Sequence, residues 1–337
     1  MISIPSDFKT QIFRKAASML LMMMMVLMIT ACEHREFLME TPPPGVAVTV
    51  EFDWSNDPQA NPSEMTVYFF RQNSKSGHPI AFDLTGKNGG SVTLTPGIYS
   101  AICHNNDSDR HGFTGYDSFD TFGIRLNDNI NGSGMHSGAS FHSAGDERLA
   151  HYPDQMWVGA LATVEIEAQD NSKNYAPRIV RFEMLPVVSH YIFYINNPLN
   201  FNNSISVSAT ISGLASTIHP GRGTTGDETV THLFEMSPTP EGNLFGEILT
   251  FGHCGGNSLQ SRADEDSGPH ILTIHATMSD GQRWNSAHDV TDQIHRSETK
   301  DCVIRLDSFS FPHNTGDGAG FSPTVDGWDG SQEPVGM

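Results

Sequence analysis

Val46-Ala47-Val48-Thr49-Val50-Glu51-Phe52 places an apolar side chain at every even position, with Ala, Thr and Glu between. Side chains along a strand point alternately to opposite faces, so this spacing describes a strand with one buried and one wet face. Outward from it, the same character returns in short apolar runs at 65–70, 80–84, 92–94 and 99–103, with further strands expected at 121–126 and 156–167. Turn chemistry separates them, as in Asn88-Gly89-Gly90 and Pro96-Gly97, where glycine and proline supply the backbone angles that tight turns need. No segment keeps a 3.6-residue apolar stripe for the length of a helix.

The second half repeats the logic. Strands are expected at 179–185, 191–195, 205–212, 230–236, 244–251, 271–278 and 303–306, with a short helix at 289–294. Runs of this length between regularly spaced turns fit an all-β chain of two tandem sandwiches, 46–168 and 177–311. The polar stretch 169–174, just before Pro177, marks the boundary. Residues 105–154 turn to Asn, Asp, Gly, Ser and His with scattered aromatics, which reads as an insertion of long loops or little order. Residues 312–337 form a Gly-, Asp- and Pro-rich tail with Trp328, Val335 and Met337 as isolated apolar points. That tail is either an extended arm or a last strand of its own module.

Ahead of the first strand, Lys9, Arg14 and Lys15 precede an uncharged Met- and Leu-rich span from 16 to 31, which ends in Ile29-Thr30-Ala31-Cys32. A basic start, a short apolar helix and small residues before a cysteine are the marks of a lipoprotein signal peptide. Sixteen residues are too few for a stable transmembrane helix, which needs about 20. Cleavage between Ala31 and Cys32 would leave Cys32 to carry acyl chains such as palmitate, followed by a Pro-rich tether at 32–45. Proline runs such as Pro42-Pro43-Pro44 hold an extended spacer.

The chain has a formal net charge of −20, and residues 1–31 carry three basic side chains and one acidic one, so the remainder is near −22. Such a surface repels nucleic acid and anionic headgroups unless a covalent hold intervenes. Of four cysteines, Cys103, Cys254 and Cys302 remain after Cys32, with none of the spacings of structural zinc. Asp107-Ser108-Asp109-Arg110-His111-Gly112 opens like a calcium loop, but its fifth place is His111 and its twelfth Ser118, where the ion needs oxygen ligands and a bidentate Glu. His104, His111, His136, His142 and His151 read as solvated loop histidines. The hydrolase elbow, the His-Glu-x-x-His metal motif and the phosphate loop are missing from the sequence. Neither an enzyme nor a metal or cofactor is expected. Tyr116 and Phe119 are the aromatics that could form a platform for sugar rings.

These residues resemble a known family. The lipobox and tether, 47–54, 65–70 and Thr95-Pro96-Gly97-Ile98-Tyr99 look like the Bacteroides-type fimbrillin-associated lipoproteins, the FimB-like anchor and minor-subunit proteins and related branches known only as a domain of unknown function. Ser212-Gly213-Leu214-Ala215-Ser216, Gly242-Asn243-Leu244-Phe245-Gly246, Thr250-Phe251-Gly252 and 289–294 strengthen the likeness. It implies two transthyretin-like sandwiches anchored through acyl chains on Cys32 to the outer membrane, cell-surface facing. It also implies a non-catalytic role in attaching fimbriae through contact with shaft subunits, and so in cell adhesion. A surface glycan-binding lipoprotein is the alternative.

Overall fold

The computed structural model describes residues 45–72, 77–127, 147–168, 178–202, 205–254, 268–278, 281–297, 299 and 301–312. Ala31, Cys32, most of the tether and the tail beyond 312 lie outside them. The described chain is almost wholly β, as expected, with one short helix, α1 (Thr291–His295).

The alternation at 46–52 becomes β1 (Val46–Asp53), whose Val46, Val48, Val50 and Phe52 are buried. It is the middle strand of a three-stranded sheet, between β4 (Gly90–Leu94) and β10 (Arg178–Glu183). The facing sheet runs β11 (Leu185–Pro186), β9 (Trp157–Ile166), β5 (Gly97–Asn105), β2 (Glu64–Arg71) and β3 (Ile80–Thr85). Their inner faces meet in a core of Val48, Val50, Phe52 and Phe182 against Met65, Val67, Phe69 and Tyr99. Each such side chain contributes about 1.5–3 kcal/mol by leaving water. Tyr99 is fully buried, yet its hydroxyl donates to Thr95 O at 2.8 Å. That bond gives the Thr95–Tyr99 turn its physical role, since a buried phenol needs a partner.

One strand belongs to a different module than its sequence position suggests. The strand expected at 179–185 to open the second sandwich instead completes the first: β10 pairs in parallel with β1 from Val48↔Arg178 to Asp53↔Glu183. Its Val180 and Phe182 are core residues of the first sandwich. Local alternation identifies a strand but not its partner.

The second sandwich is one sheet folded over itself. Its strands are β12 (Ser189–Ile195), β13 (Ser206–Ala215), β16 (Thr229–Pro238), β17 (Leu244–Thr250), β18 (Ile271–Thr277), β19 (Arg283–Asp289) and β20 (Cys302–Leu306), in the order β19-β18-β13-β16-β17-β12-β20. Only the far end of β16, Ser237 and Pro238, pairs with β17, so the hairpin carries the chain from one layer to the other. Phe193 and Phe234 meet across the layers with centroids 4.5 Å apart. Gly213 sits in a bulge of β13 with φ +80°, and a Cβ there would lie 2.4 Å from Pro269 O. Gly213→Ala should therefore lower stability by more than the roughly 1–2 kcal/mol of left-handed strain alone, seen as a fall in the denaturant midpoint.

The polar insertion is built into the body where it is described. β6 (His111–Thr114) and β7 (Gly123–Leu126) form a hairpin, and β7 pairs with β14 (Thr217–His219), itself paired with β15 (Thr224–Thr225). β8 (Arg148–Ala150) adds in parallel to β16. A third core follows: Tyr68, Phe70 and Ile102 from the outer face of the first sandwich, Phe122, Ile124 and Leu126 from the insertion, and Ala215, Ile218, Val230 and Phe251 from the second. The insertion thus joins the two sandwiches through shared apolar packing.

Candidate functional site

The two aromatics proposed as a sugar platform lie in the loop between β6 and β7 and diverge. Phe119 turns its ring edge toward Phe70 at 6.3 Å and packs against the junction core. Tyr116 keeps 39% of its surface exposed and rests edge-on against Phe113 and Phe122. Phe119 instead borders a cleft of about 350 Å³ between the end of β2, β5, β9 and this loop, lined also by Phe70, Arg71, Gln72, Gly77, His78, Ser100, Asp117, Ser118, Asp120 and Ala162. Arg71 donates to Pro96 O at 2.9 Å, and Gln72 Nε2 reaches Ser100 Oγ and Ala162 O at 3.3 and 3.4 Å. Asp117 and Asp120 give the opposite rim two exposed carboxylates. Ser100 falls in the strand expected at 99–103, but nothing in the sequence marked it or the other polar residues as lining a cleft.

The interior offers little reactivity. Burial raises the thiol of Cys103 well above its usual range, that of Cys254 to about 12 and that of Cys302 to about 11, so all three stay protonated and poor nucleophiles at neutral pH. All three are free. His104 is not the solvated loop histidine that the sequence suggested: it lies next to last in β5, fully buried, stacked on Tyr68 at 5.7 Å, with Nδ1 2.8 Å from Asn105 O. Desolvation lowers its pKa to about 4, and does the same for buried His232 and His270. The calcium-like loop is tied up internally. Asp107 takes hydrogen bonds from the main chain of Ser63 and Glu64 and the side chains of Ser63 and Asn105; these outweigh its partial burial and hold its carboxyl below the usual range. Among the described residues no group of three His, Cys, Asp or Glu side chains is placed to hold a metal, and no helix is long and apolar enough to cross a membrane.

Sheet edges are the other candidate surfaces, because an unpaired edge is a ready template for a strand from another chain. β20 is partly closed. Gln293 of α1 presents its amide to Arg305, accepting its N–H at 2.8 Å and donating to its carbonyl at 3.0 Å. Within their sheets β3, β4 and β19 each pair on one side, and exposed Ile80, Ile179 and Val303 lie on the end strands β3, β10 and β20.

The junction between the sandwiches carries the densest polar network. Glu228 lies 3.4 Å from Arg125 and 3.5 Å from Arg148. Glu147 accepts the Gly213 N–H at 3.1 Å and the Thr231 hydroxyl. Both carboxylates tie the insertion to the second sandwich.

The fold and its quiet interior are those of a protein of two β-sandwiches whose described surface offers open strand edges and shallow clefts. Residues 31–235 match the family described as a domain of unknown function, DUF5119, and the chain belongs to that family. It is 23% identical over 333 residues, covering 89% of this chain and 92% of the other, to a Bacteroides ovatus protein named putative fimbrium anchoring subunit Fim4B. The fold is shared with the crystal structure of a putative adhesin from Bacteroides ovatus, at a TM-score of 0.58 and 19% identity, over 84% of this chain and 99% of that one. The fimbrial anchor protein Mfa2 from Porphyromonas gingivalis aligns over 78% of this chain and 90% of its own, at 14% identity and a TM-score of 0.48.

Proposed function

We propose that the protein is an outer-membrane lipoprotein that anchors fimbriae or serves as an accessory subunit, held by acyl chains on Cys32 and facing the cell surface. Its work is done by contact with fimbrial shaft subunits and not by catalysis. The observation that carries this reading is the end-to-end likeness to the fimbrium anchoring relative. Protonated thiols and buried neutral histidines support it, since they leave little for chemistry to use. Main-chain hydrogen bonds at open edges suit assembly with extended segments of other subunits. Under this proposal the signal peptide is 1–31 and the tether 32–45, leading into the paired sandwiches.

Two experiments test it. Deleting the gene should release fibres into the medium, and unchanged surface fibres would refute the anchoring role. Cys32→Ser should abolish incorporation of labelled palmitate and shift the protein from the membrane fraction to the soluble one. A single acyl chain holds only marginally, so losing the multiply acylated cysteine is decisive for attachment. Labelling that persists in the variant would disprove acylation at Cys32.

A second reading, binding of a surface glycan, is favoured by one observation: the cleft beside Phe119 combines an aromatic ring with Arg71, Gln72, Asp117 and Asp120. Affinity electrophoresis on mucin and plant polysaccharides decides it, using Tyr116→Ala, Phe119→Ala and Asp120→Asn. Asp120 is exposed, so its variant separates recognition from the packing lost with Phe119. No retardation of the unaltered protein on any glycan removes this reading.

A further inference from the structure

We infer that β1 and β10 form a mechanical clamp that bears the tension between the membrane attachment and whatever the second sandwich holds; this rests on the anchoring role proposed above. The chain enters the folded body at Val46, the first residue of β1, and leaves the three-stranded sheet past Glu183, the last residue of β10. The two strands are parallel, and Asp53 is opposite Glu183. Entry and exit therefore lie at opposite ends of one strand pair, separated by about 23 Å at the usual rise per residue. Tension applied at Val46 and drawn off beyond Glu183 slides β1 and β10 past each other along their length.

In that direction the bonds cannot fail one after another. The six register pairs between the strands lie across the load and share it. On its other side β1 is held by β4 through the pairs from Val46↔Leu94 to Val50↔Gly90. Side chains add to the grip. Val48, Val50, Phe52, Val180 and Phe182 interlock in the core, with the Phe52 and Phe182 rings 6.2 Å apart. On the wet face Arg181 places Nε and one terminal nitrogen on the same oxygen of Glu51, at 3.1 and 2.8 Å. The pairs of β7 with β14 and β8 with β16 spread load between the sandwiches, but none bypasses β1, because the proposed attachment at Cys32 reaches the body only through the tether and that strand.

The geometry makes a directional prediction. Ala47 is opposite Thr93, so a load entering through the tether and leaving at position 93 would peel β1 from β4 a pair at a time. Single-molecule stretching of the mature chain tests this, with one handle at residue 32 and the other either at residue 337 or at Thr93→Cys. The first rupture should need a several-fold higher force with the distal handle. Oxidising the double variant Thr49→Cys with Ile179→Cys, which are opposite in register, should remove that rupture and keep the intervening chain from extending, and reduction should restore both. Equal rupture forces in the two geometries, or a first rupture indifferent to the oxidised lock, would overturn the clamp. A thermal melt of each variant establishes that it is folded before stretching. The measurement involves neither lipid nor fimbriae, so its failure would leave the anchoring role standing. Conversely, intact surface fibres after gene deletion would sink that role without changing any rupture force.

Discussion

Acidification from pH 7 toward pH 4.5 is expected to unfold this protein, with the steepest loss of stability below pH 6.5. His104, His232 and His270 are fully buried, and desolvation lowers each from 6.5 to about 4. Neighbouring cations and histidines act in the same direction, His111 on His104, Arg148 and His151 on His232, and His295 and His253 on His270, while Asp83 and Asp289 oppose the shift at His104 and His270 without overcoming it. Above pH 6.5 these side chains are neutral whether the chain is folded or not, and stability does not depend on them. Below it the unfolded chain takes up protons that the folded one refuses, so stability falls until the folded groups themselves titrate near pH 4. Each histidine can withdraw roughly 3 kcal/mol over that window, since every tenfold loss of proton affinity on folding is worth about 1.36 kcal/mol. Three together rival the ~5–15 kcal/mol that holds a typical fold. Denaturant midpoints measured from pH 7.5 to 4.5 should drop along a slope of about three protons per molecule or more, since burial also lowers His111, His219 and His288. His104→Phe should flatten it by about one proton, since a phenylalanine suits the ring stack of Tyr68 and Phe113. A flat profile down to pH 5 would contradict the neutral buried state of these residues.

The second large effect is expected at Phe122. This ring is fully buried between Tyr68 at 4.9 Å, Phe70 and Phe113 both at 5.8 Å, and Tyr116 at 5.8 Å. Removing such a side chain costs about 3–5 kcal/mol. The location matters as much as the size, because the junction core draws on the first sandwich, the insertion and the second sandwich alike. Phe122→Ala should therefore lower the melting of the whole body and not of one module. Calorimetry of the unaltered protein should show a single transition, and the variant either one lowered transition or two separated ones. An unaltered protein that melts in two independent steps, with Phe122→Ala moving neither, would refute a shared core.

Much of this body can be read from its residues. The alternation of Val46 to Phe52 identified β1, and the doubled apolar character of 65–70 and 99–103 identified β2 and β5. That doubling held a further signal. A strand apolar on both faces must be covered on both, and the insertion supplies the second cover through Phe122 and Ile124. The strand at 121–126 was legible, but the residues around Phe113 and Phe119 were opaque because glycines and acids dilute the apolar positions there below any clear period. β19 escaped for a related reason: Arg283-Trp284-Asn285-Ser286-Ala287-His288-Asp289 is polar on one face and nearly so on the other. The cleft was illegible because Arg71, Ser100, Phe119 and Ala162 come together only through tertiary packing. Buried histidines such as His104 carry no mark in sequence to distinguish them from wet ones.

The parallel pairing of the first strand also sets the order in which this molecule can be made. β1 is synthesised early, yet its partner β10 lies more than 120 residues further along, and β8 must wait for β16 beyond that. Contacts so remote along the chain close slowly, and until then β1 is held only by β4, with its other edge open and prone to aggregation. The first sandwich therefore cannot close until residues 178–183 have been made, just past the middle of the chain.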